Sequence, residues 1–197
     1  LPFLTYFHPK GGVMKTLLLT ACIVILSASL VFAQAGWIGI RADAAGTDCN
    51  LFDQVPGLAN YYVIHGGTPG ATACQFMAVQ PACMIAAVWL SDTQVYPVTI
   101  GNSQIGVAIG YGMCVGSPNH VLTLNFFGQG LTAPCCIYKP TGDPGSVSGQ
   151  IEVVDCQNNL LIGSASCAIV NPDASCPCWA TPTEKSTWGK VKELYAQ

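Results

Sequence analysis

Ten cysteines carried behind an export signal restrict this chain more than any other feature. The first methionine, Met14, is followed by Lys15 and an apolar run from Leu17 to Phe32 broken only by Thr20, Ser27 and Ser29, and the run closes at Val31-Phe32-Ala33. A charged start, an apolar stretch and small residues before the cut predict a secretory signal peptide over residues 14–33, cleaved after Ala33 with Ala35 as the alternative. About sixteen apolar residues is short for a membrane span of roughly twenty, so a permanent anchor is set aside. Leu19-Thr20-Ala21-Cys22 fits a lipobox, but a cut there leaves almost no apolar region ahead of the cysteine. Residues 1–13 read as translated upstream sequence, because Lys10-Gly11-Gly12-Val13 can be encoded by a purine-rich ribosome-binding stretch. Codons that are not purine-rich would sink that reading.

Cleavage leaves 164 of the 197 residues and removes Cys22, so ten of the 11 cysteines remain: Cys49, Cys74, Cys83, Cys114, Cys135, Cys136, Cys156, Cys167, Cys176 and Cys178. An even number in an exported chain predicts up to five disulfides, with about 945 possible pairings that sequence does not distinguish. Composition agrees with a packed domain: 51% of residues are hydrophobic and 9% charged. Disorder, coiled coil and collagen are excluded by that balance and by the lack of heptads or a Gly repeat. A net charge of −3 excludes a phosphate-neutralising surface, so no nucleic-acid partner is expected, and no membrane partner once the signal is removed. The expected location is secreted, cell-surface or periplasmic.

Short runs rich in Val, Ile, Tyr and Phe alternate with Gly, Pro, Asn and Asp clusters, which is the pattern of strands and turns. Strands are expected at Trp37 to Arg41, Asn60 to His65, Ala73 to Val79, Met84 to Leu90, Tyr96 to Ile100, Ile105 to Met113, His120 to Phe127, Gly149 to Asp155, Leu160 to Ser166 and Cys167 to Val170. Asp155-Cys156-Gln157-Asn158-Asn159 is expected to be a hairpin turn, since Asn tolerates positive φ. The Gly-rich stretch from Gly101 to Gly116 lacks the Lys and the helix of a phosphate loop and suits bulges and tight turns. Many short strands predict an all-β fold, an antiparallel β-sandwich over residues 34–179. Residues 180–197 read as a linker and a short helix capped by Thr183 or Ser186. Trp188, Val191, Leu194 and Tyr195 would share one face of it, which either packs on the domain itself or forms a partner-binding or sorting element. The tail carries three Lys and two Glu, whereas residues 34–179 carry Arg41 and Lys139 against eight acids.

Four segments carry a resemblance: Trp37-Ile38-Gly39-Ile40-Arg41-Ala42-Asp43, Gly70-Ala71-Thr72-Ala73-Cys74-Gln75-Phe76, Val153-Val154-Asp155-Cys156 and the closing Thr187-Trp188-Gly189-Lys190-Val191-Lys192-Glu193-Leu194-Tyr195. They resemble uncharacterised exported proteins of environmental bacteria, which in outline are cohesin-like or immunoglobulin-like sandwiches. A cohesin would imply a dockerin partner. The ten cysteines depart from the usual cysteine-poor cohesin, so that partner is not carried over.

Several chemistries are open at this level. Asp43, Asp48 and Asp53, with Thr47 and Asn50, offer hard oxygen ligands that calcium accepts, although the spacing is not that of an EF-hand. No other cofactor is expected. His65, His120, the thiols and Met113 invite copper or zinc, but no Met follows Cys114 as a blue-copper order requires. Cys135-Cys136 and Cys176-Pro177-Cys178 suit disulfides in an oxidising compartment. Gly163-Ser164-Ala165-Ser166 is not a nucleophile elbow and no His-Glu-x-x-His occurs, which leaves only paired carboxylates such as Asp92 with Glu152. Trp37, Trp89, Tyr61, Tyr62 and Tyr111 would make a sugar-stacking platform if they faced outward. The expected function is a non-enzymatic extracellular binding or structural domain with a protein or glycan partner. The alternatives are a carbohydrate-binding module or glycan-acting enzyme, and a self-assembling cell-surface subunit.

Overall fold

The computed structural model describes residues 35–178; the segments read above as upstream sequence, signal peptide and C-terminal helix lie outside them. Thirteen strands follow one another without a helix between them: β1 Trp37–Arg41, β2 Asn50–Leu51, β3 Pro56–Gly66, β4 Ala71–Phe76, β5 Val88–Gln94, β6 Val98–Asn102, β7 Gly106–Val115, β8 Asn119–Gln129, β9 Cys136–Tyr138, β10 Glu152–Asp155, β11 Leu160–Ile162, β12 Ser164–Ser166 and β13 Ala168–Val170. They form one five-stranded sheet in the order β12-β1-β3-β8-β5, a second in the order β11-β10-β4-β7-β6, and a small sheet β2-β13-β9.

Alternation explains why the two large sheets stack. In β7 the residues Val107, Ile109 and Tyr111 are buried while Ala108 and Gly110 face away, and in β1 Ile38 and Ile40 are fully buried. Side chains from the inner faces of both large sheets, among them Phe76, Phe126, Leu122 and Leu124, make one core cluster with Tyr138 of the small sheet. This is a β-sandwich built on period-two patterning.

Local chemistry sets the irregular points. The β10–β11 hairpin closes as expected: Asn158 takes φ 65°, and the Asp155 carboxylate accepts the backbone N–H of Gln157 and of Asn159, each at 2.8 Å. Along the β4–β7 ladder Ala71 pairs with Val115 but Ala73 pairs with Gly110, so β7 bulges around Gly112, whose φ is 76°. Cys114 projects from that bulge and is bonded to Cys156 in the hairpin turn.

The structure differs from the expectation at Met84 to Leu90, where the strand begins only at Val88. The Gln80 side chain explains this: its amide donates to the carbonyls of Met84 at 2.7 Å and Ala87 at 2.6 Å, which holds the preceding residues in turns. Strands β2 and β9 are additions, two and three residues long, too short to show a period.

Candidate functional site

The carboxylates proposed for chemistry hold loops instead. Asp43 accepts the backbone N–H of Asp48 at 2.7 Å and of Thr47 at 3.2 Å, and Asp48 accepts both the backbone and side-chain amide of Asn50. Asp53 is buried, accepting the Thr132 hydroxyl and the Gly130 N–H at 3.1 Å. The three therefore do not converge on a calcium site: Asp43 and Asp48 brace the 43–50 loop, and Asp53 is committed to the segment after β8. Among the described residues one set of three metal-type ligands does converge, Cys135, Asp173 and Cys176, and two of these are joined as a disulfide. Asp92 and Glu152 lie on different sheets. Asp92 accepts the Trp89 indole N–H at 2.9 Å and both donors of Ser103, while Glu152 accepts the Ser148 N–H at 2.6 Å.

The histidines are also engaged within the domain, His65 in the core and half-buried His120 beside Tyr62. His65 is fully buried, with Nε2 at 2.9 Å from the Ala35 carbonyl and Nδ1 at 3.0 Å from the Tyr111 hydroxyl. Facing a carbonyl, Nε2 carries the proton and Nδ1 accepts, so the ring serves as a neutral imidazole. Burial holds His65 and His120 below the ordinary imidazole range. Below about pH 6.5 the unfolded chain takes up protons that the folded domain refuses, so stability falls as the pH drops, by up to about 1.4 kcal/mol per pH unit from His65. Hydrogen bonds hold Asp155 and Asp173 below the usual carboxylate range, and those groups contribute only lower, as the pH falls through about 4. The thermal midpoint is thus expected to fall between pH 7 and pH 5 and to flatten in His65→Gln; a midpoint constant across that window contradicts the assignment.

Eight cysteines pair: Cys49 with Cys178, Cys83 with Cys136, Cys114 with Cys156 and Cys135 with Cys176. Among the described residues Cys74 and Cys167 stand outside this pairing, the first buried on the inner face of β4 and the second exposed. Burial pushes the Cys74 thiol up to about 12. Alkylation of the non-reduced folded protein followed by intact-mass analysis is expected to add one label, at Cys167, with Cys74 reacting only after denaturation. Two labels under native conditions contradict this.

The aromatic residues do not assemble into a sugar platform. Tyr61 and Tyr111 are buried in the core, and Trp89 is turned to Asp92. Trp37 is covered by the Arg41 guanidinium, 4.6 Å from the ring centroid, and Tyr62, across the ladder from Arg41, meets the edge of His120. The middle of this sheet's outer face is polar: the Asn125 amide donates to Ser91 and Thr93, and only at one end do Leu58, Phe127 and Val88 form an apolar row.

The outer face of the other large sheet is built differently. Register places two cross-strand rows on it: Val98, Gly110, Ala73, Val154 and Leu160, and beside it Ile100, Ala108, Gln75, Glu152 and Ile162. Bulky aliphatic residues of β6 and β11 form the walls, and Ala73, Ala108 and Gly110 form the floor of a trough of about 150 Å³. At one end the trough meets Glu152, and the Gln75 amide donates to Asp143 at 2.8 Å; both carboxylates are buried and engaged with the 142–150 loop. Sequence reasoning missed this site. Its signal is the Val98-Thr99-Ile100 alternation together with small residues at alternate positions of β4 and β7, which becomes meaningful only once the register is known.

Fold and site together define a disulfide-bonded all-β sandwich with an open apolar trough on one outer face. No protein family matches the chain, and no curated protein matches it. Among solved structures it is similar to a non-cellulosomal cohesin from the hyperthermophilic archaeon Archaeoglobus fulgidus, 11% identical over 68% of this chain and 89% of that one, with a TM-score of 0.42. The sixth cohesin from scaffoldin B of Acetivibrio cellulolyticus, solved in complex with a mutant Cel5 dockerin, is 13% identical over 70% of this chain and 98% of that one, with a TM-score of 0.42. The seventh ScaB type I cohesin from Pseudobacteroides cellulosolvens is 11% identical over 72% and 95%, with a TM-score of 0.35. At these scores the likeness carries no argument, and the fold rests on the chain's own strand pairing.

Proposed function

We propose that the protein is an exported, disulfide-locked, non-catalytic domain that binds a protein partner outside the cytoplasm, with the trough as its contact surface. The observation that carries this reading is the pair of rows described above. The solvent face of an antiparallel sheet is ordinarily polar, and here one row is apolar from edge to edge. The occupant that fits is an amphipathic α-helix with lysines beside its apolar stripe. Strands β6 and β11 are four spacings apart, about 19 Å. Once their side chains are counted, the gap matches a helix about 10 Å across. The excess of acids over residues 34–179, eight against Arg41 and Lys139, favours the lysines. The Trp188, Val191, Leu194 and Tyr195 stripe is the docking element on the chain's own side of such contacts.

A labelled leucine–lysine amphipathic helix is therefore expected to bind the non-reduced protein saturably in an anisotropy titration. Ile100 is 71% exposed and Leu160 51%, so charge is tolerated at both without loss of the core. Ile100→Asp combined with Leu160→Asp removes two apolar anchors of about 1 kcal/mol each and weakens binding by roughly tenfold or more. Tyr62→Ala, on the other sheet, leaves it unchanged. Equal binding by all three chains refutes the reading, and oligosaccharide binding lost in Tyr62→Ala would put a glycan-binding module in its place.

A further inference from the structure

Resting on that reading, we propose that the trough's resident occupant is the C-terminal segment of the same molecule, residues 188–197, which an outside partner must displace. Attachment geometry comes first. The last described residue, Cys178, is bonded to Cys49, and its Sγ lies 3.9 Å from the carbonyl of Cys167. Cys167 directly follows β12, and Gly163 alone joins β12 to β11, one wall of the trough. Three residues of β12 advance the chain about 10 Å. The nine residues from Trp179 to Thr187 reach up to about 30 Å, so Trp188 can arrive over the trough without strain.

Shape and charge agree with that path. From Trp188 to Tyr195 a helix advances about 10 Å, enough to cover the two rows, which lie about 7 Å apart along the strands. Its apolar stripe meets the Val98 and Leu160 walls over a floor kept low by Ala73, Ala108 and Gly110, with Val154 adding apolar surface beside the β11 wall. The tail after Thr183 carries Lys185, Lys190 and Lys192 against Glu184 and Glu193, a small positive excess, while residues 34–179 hold eight acids against Arg41 and Lys139. A helix of about ten residues is marginal alone and requires an apolar surface to be ordered. Tethering supplies it at an effective concentration in the millimolar range, ahead of a free competitor. The apparent affinity for an outside helix then falls by the fraction of molecules whose trough is free.

Hydrogen exchange on the intact, non-reduced exported chain tests this. Amides of residues 188–195 are expected to exchange at least about tenfold more slowly than in a synthetic peptide of residues 183–197. Ile100→Asp with Leu160→Asp should return them to the peptide rate while amides of β4 and β7 keep their protection, which shows that the sandwich is intact. Correspondingly, Trp188→Ala with Leu194→Ala should bind the leucine–lysine helix about tenfold more tightly than the parent. Peptide-like exchange in the parent overturns the inference. Protection that survives the trough substitutions overturns it as well, and so does protection that grows with protein concentration, which places the segment on a second copy. If the segment exchanges freely while the Trp188→Ala, Leu194→Ala chain still binds the leucine–lysine helix, this inference fails and the binding-domain reading stands. If that chain binds no helix, the reading fails too.

Discussion

Reduction of the four disulfides is expected to unfold the sandwich at room temperature, the largest effect foreseen here. The bonds close loops with sequence separations of 129, 53, 42 and 41 residues. In the chain-entropy picture each contributes about 4 to 5 kcal/mol, less where the loops overlap. Even a discounted sum rivals the roughly 5 to 15 kcal/mol by which a whole domain is stable. The Cys49–Cys178 bridge matters most, because it ties the start of the small sheet to the last described residue. Cys49→Ala with Cys178→Ala is expected to lower the denaturation midpoint by about 5 kcal/mol equivalent. Circular dichroism before and after reductant checks the first expectation, and urea titration of the double variant the second. A reduced protein that keeps its β signal and cooperative melting contradicts the role given to these bonds.

The second large effect is expected at Asn171. Its backbone N–H donates to the Leu51 carbonyl at 2.8 Å, and its side chain both accepts from Asp53 N–H at 2.8 Å and donates to the carbonyls of Asp53 at 3.0 Å and Thr132 at 2.8 Å. One buried amide thus fastens the small sheet to the loop after β8, where Asp53 also accepts from Gly130 and Thr132. Asn171 has φ 50°, in the left-handed region that Asn enters more readily than most residues. Asn171→Leu leaves three buried backbone partners unsatisfied and adds backbone strain, a loss of about 3 to 5 kcal/mol. The thermal midpoint should drop by roughly 10 °C. Asn171→Gly loses the same bonds but not the conformation, and is expected to recover about 1 kcal/mol of the deficit. Equal stability of the two variants shows that φ contributes nothing.

Where local pattern decides structure, it was readable. The β1 strand from Trp37 to Arg41 and the Asp155 to Asn159 turn depend on neighbours within a few residues, and both are found where alternation and Asn place them. Met84 to Leu90 misled because its apolar residues look like a strand, whereas the decisive contact comes from Gln80, a side chain outside the window. The three acids Asp43, Asp48 and Asp53 resemble a cation loop in one dimension, yet Asp53 turns away to partners near residue 130. The trough is the plainest case. Val98 and Leu160 lie at the two edges of one sheet, and only the order β11-β10-β4-β7-β6 brings them to opposite walls. Disulfide pairing is likewise a product of that topology, since Cys114 meets Cys156 through the bulge in β7 and the hairpin after β10.

The central claim is that the outer face of the β11-β10-β4-β7-β6 sheet is the binding surface. It is tested most directly by amide chemical-shift mapping on the isotope-labelled, non-reduced chain titrated with the leucine–lysine helix. The account predicts saturable shifts concentrated at Ala73, Ala108, Gly110 and Val154, the floor of the trough. Shifts centred instead on Asn60, Tyr62 and Asn125 of the opposite sheet, or no saturable shifts at all, contradict it.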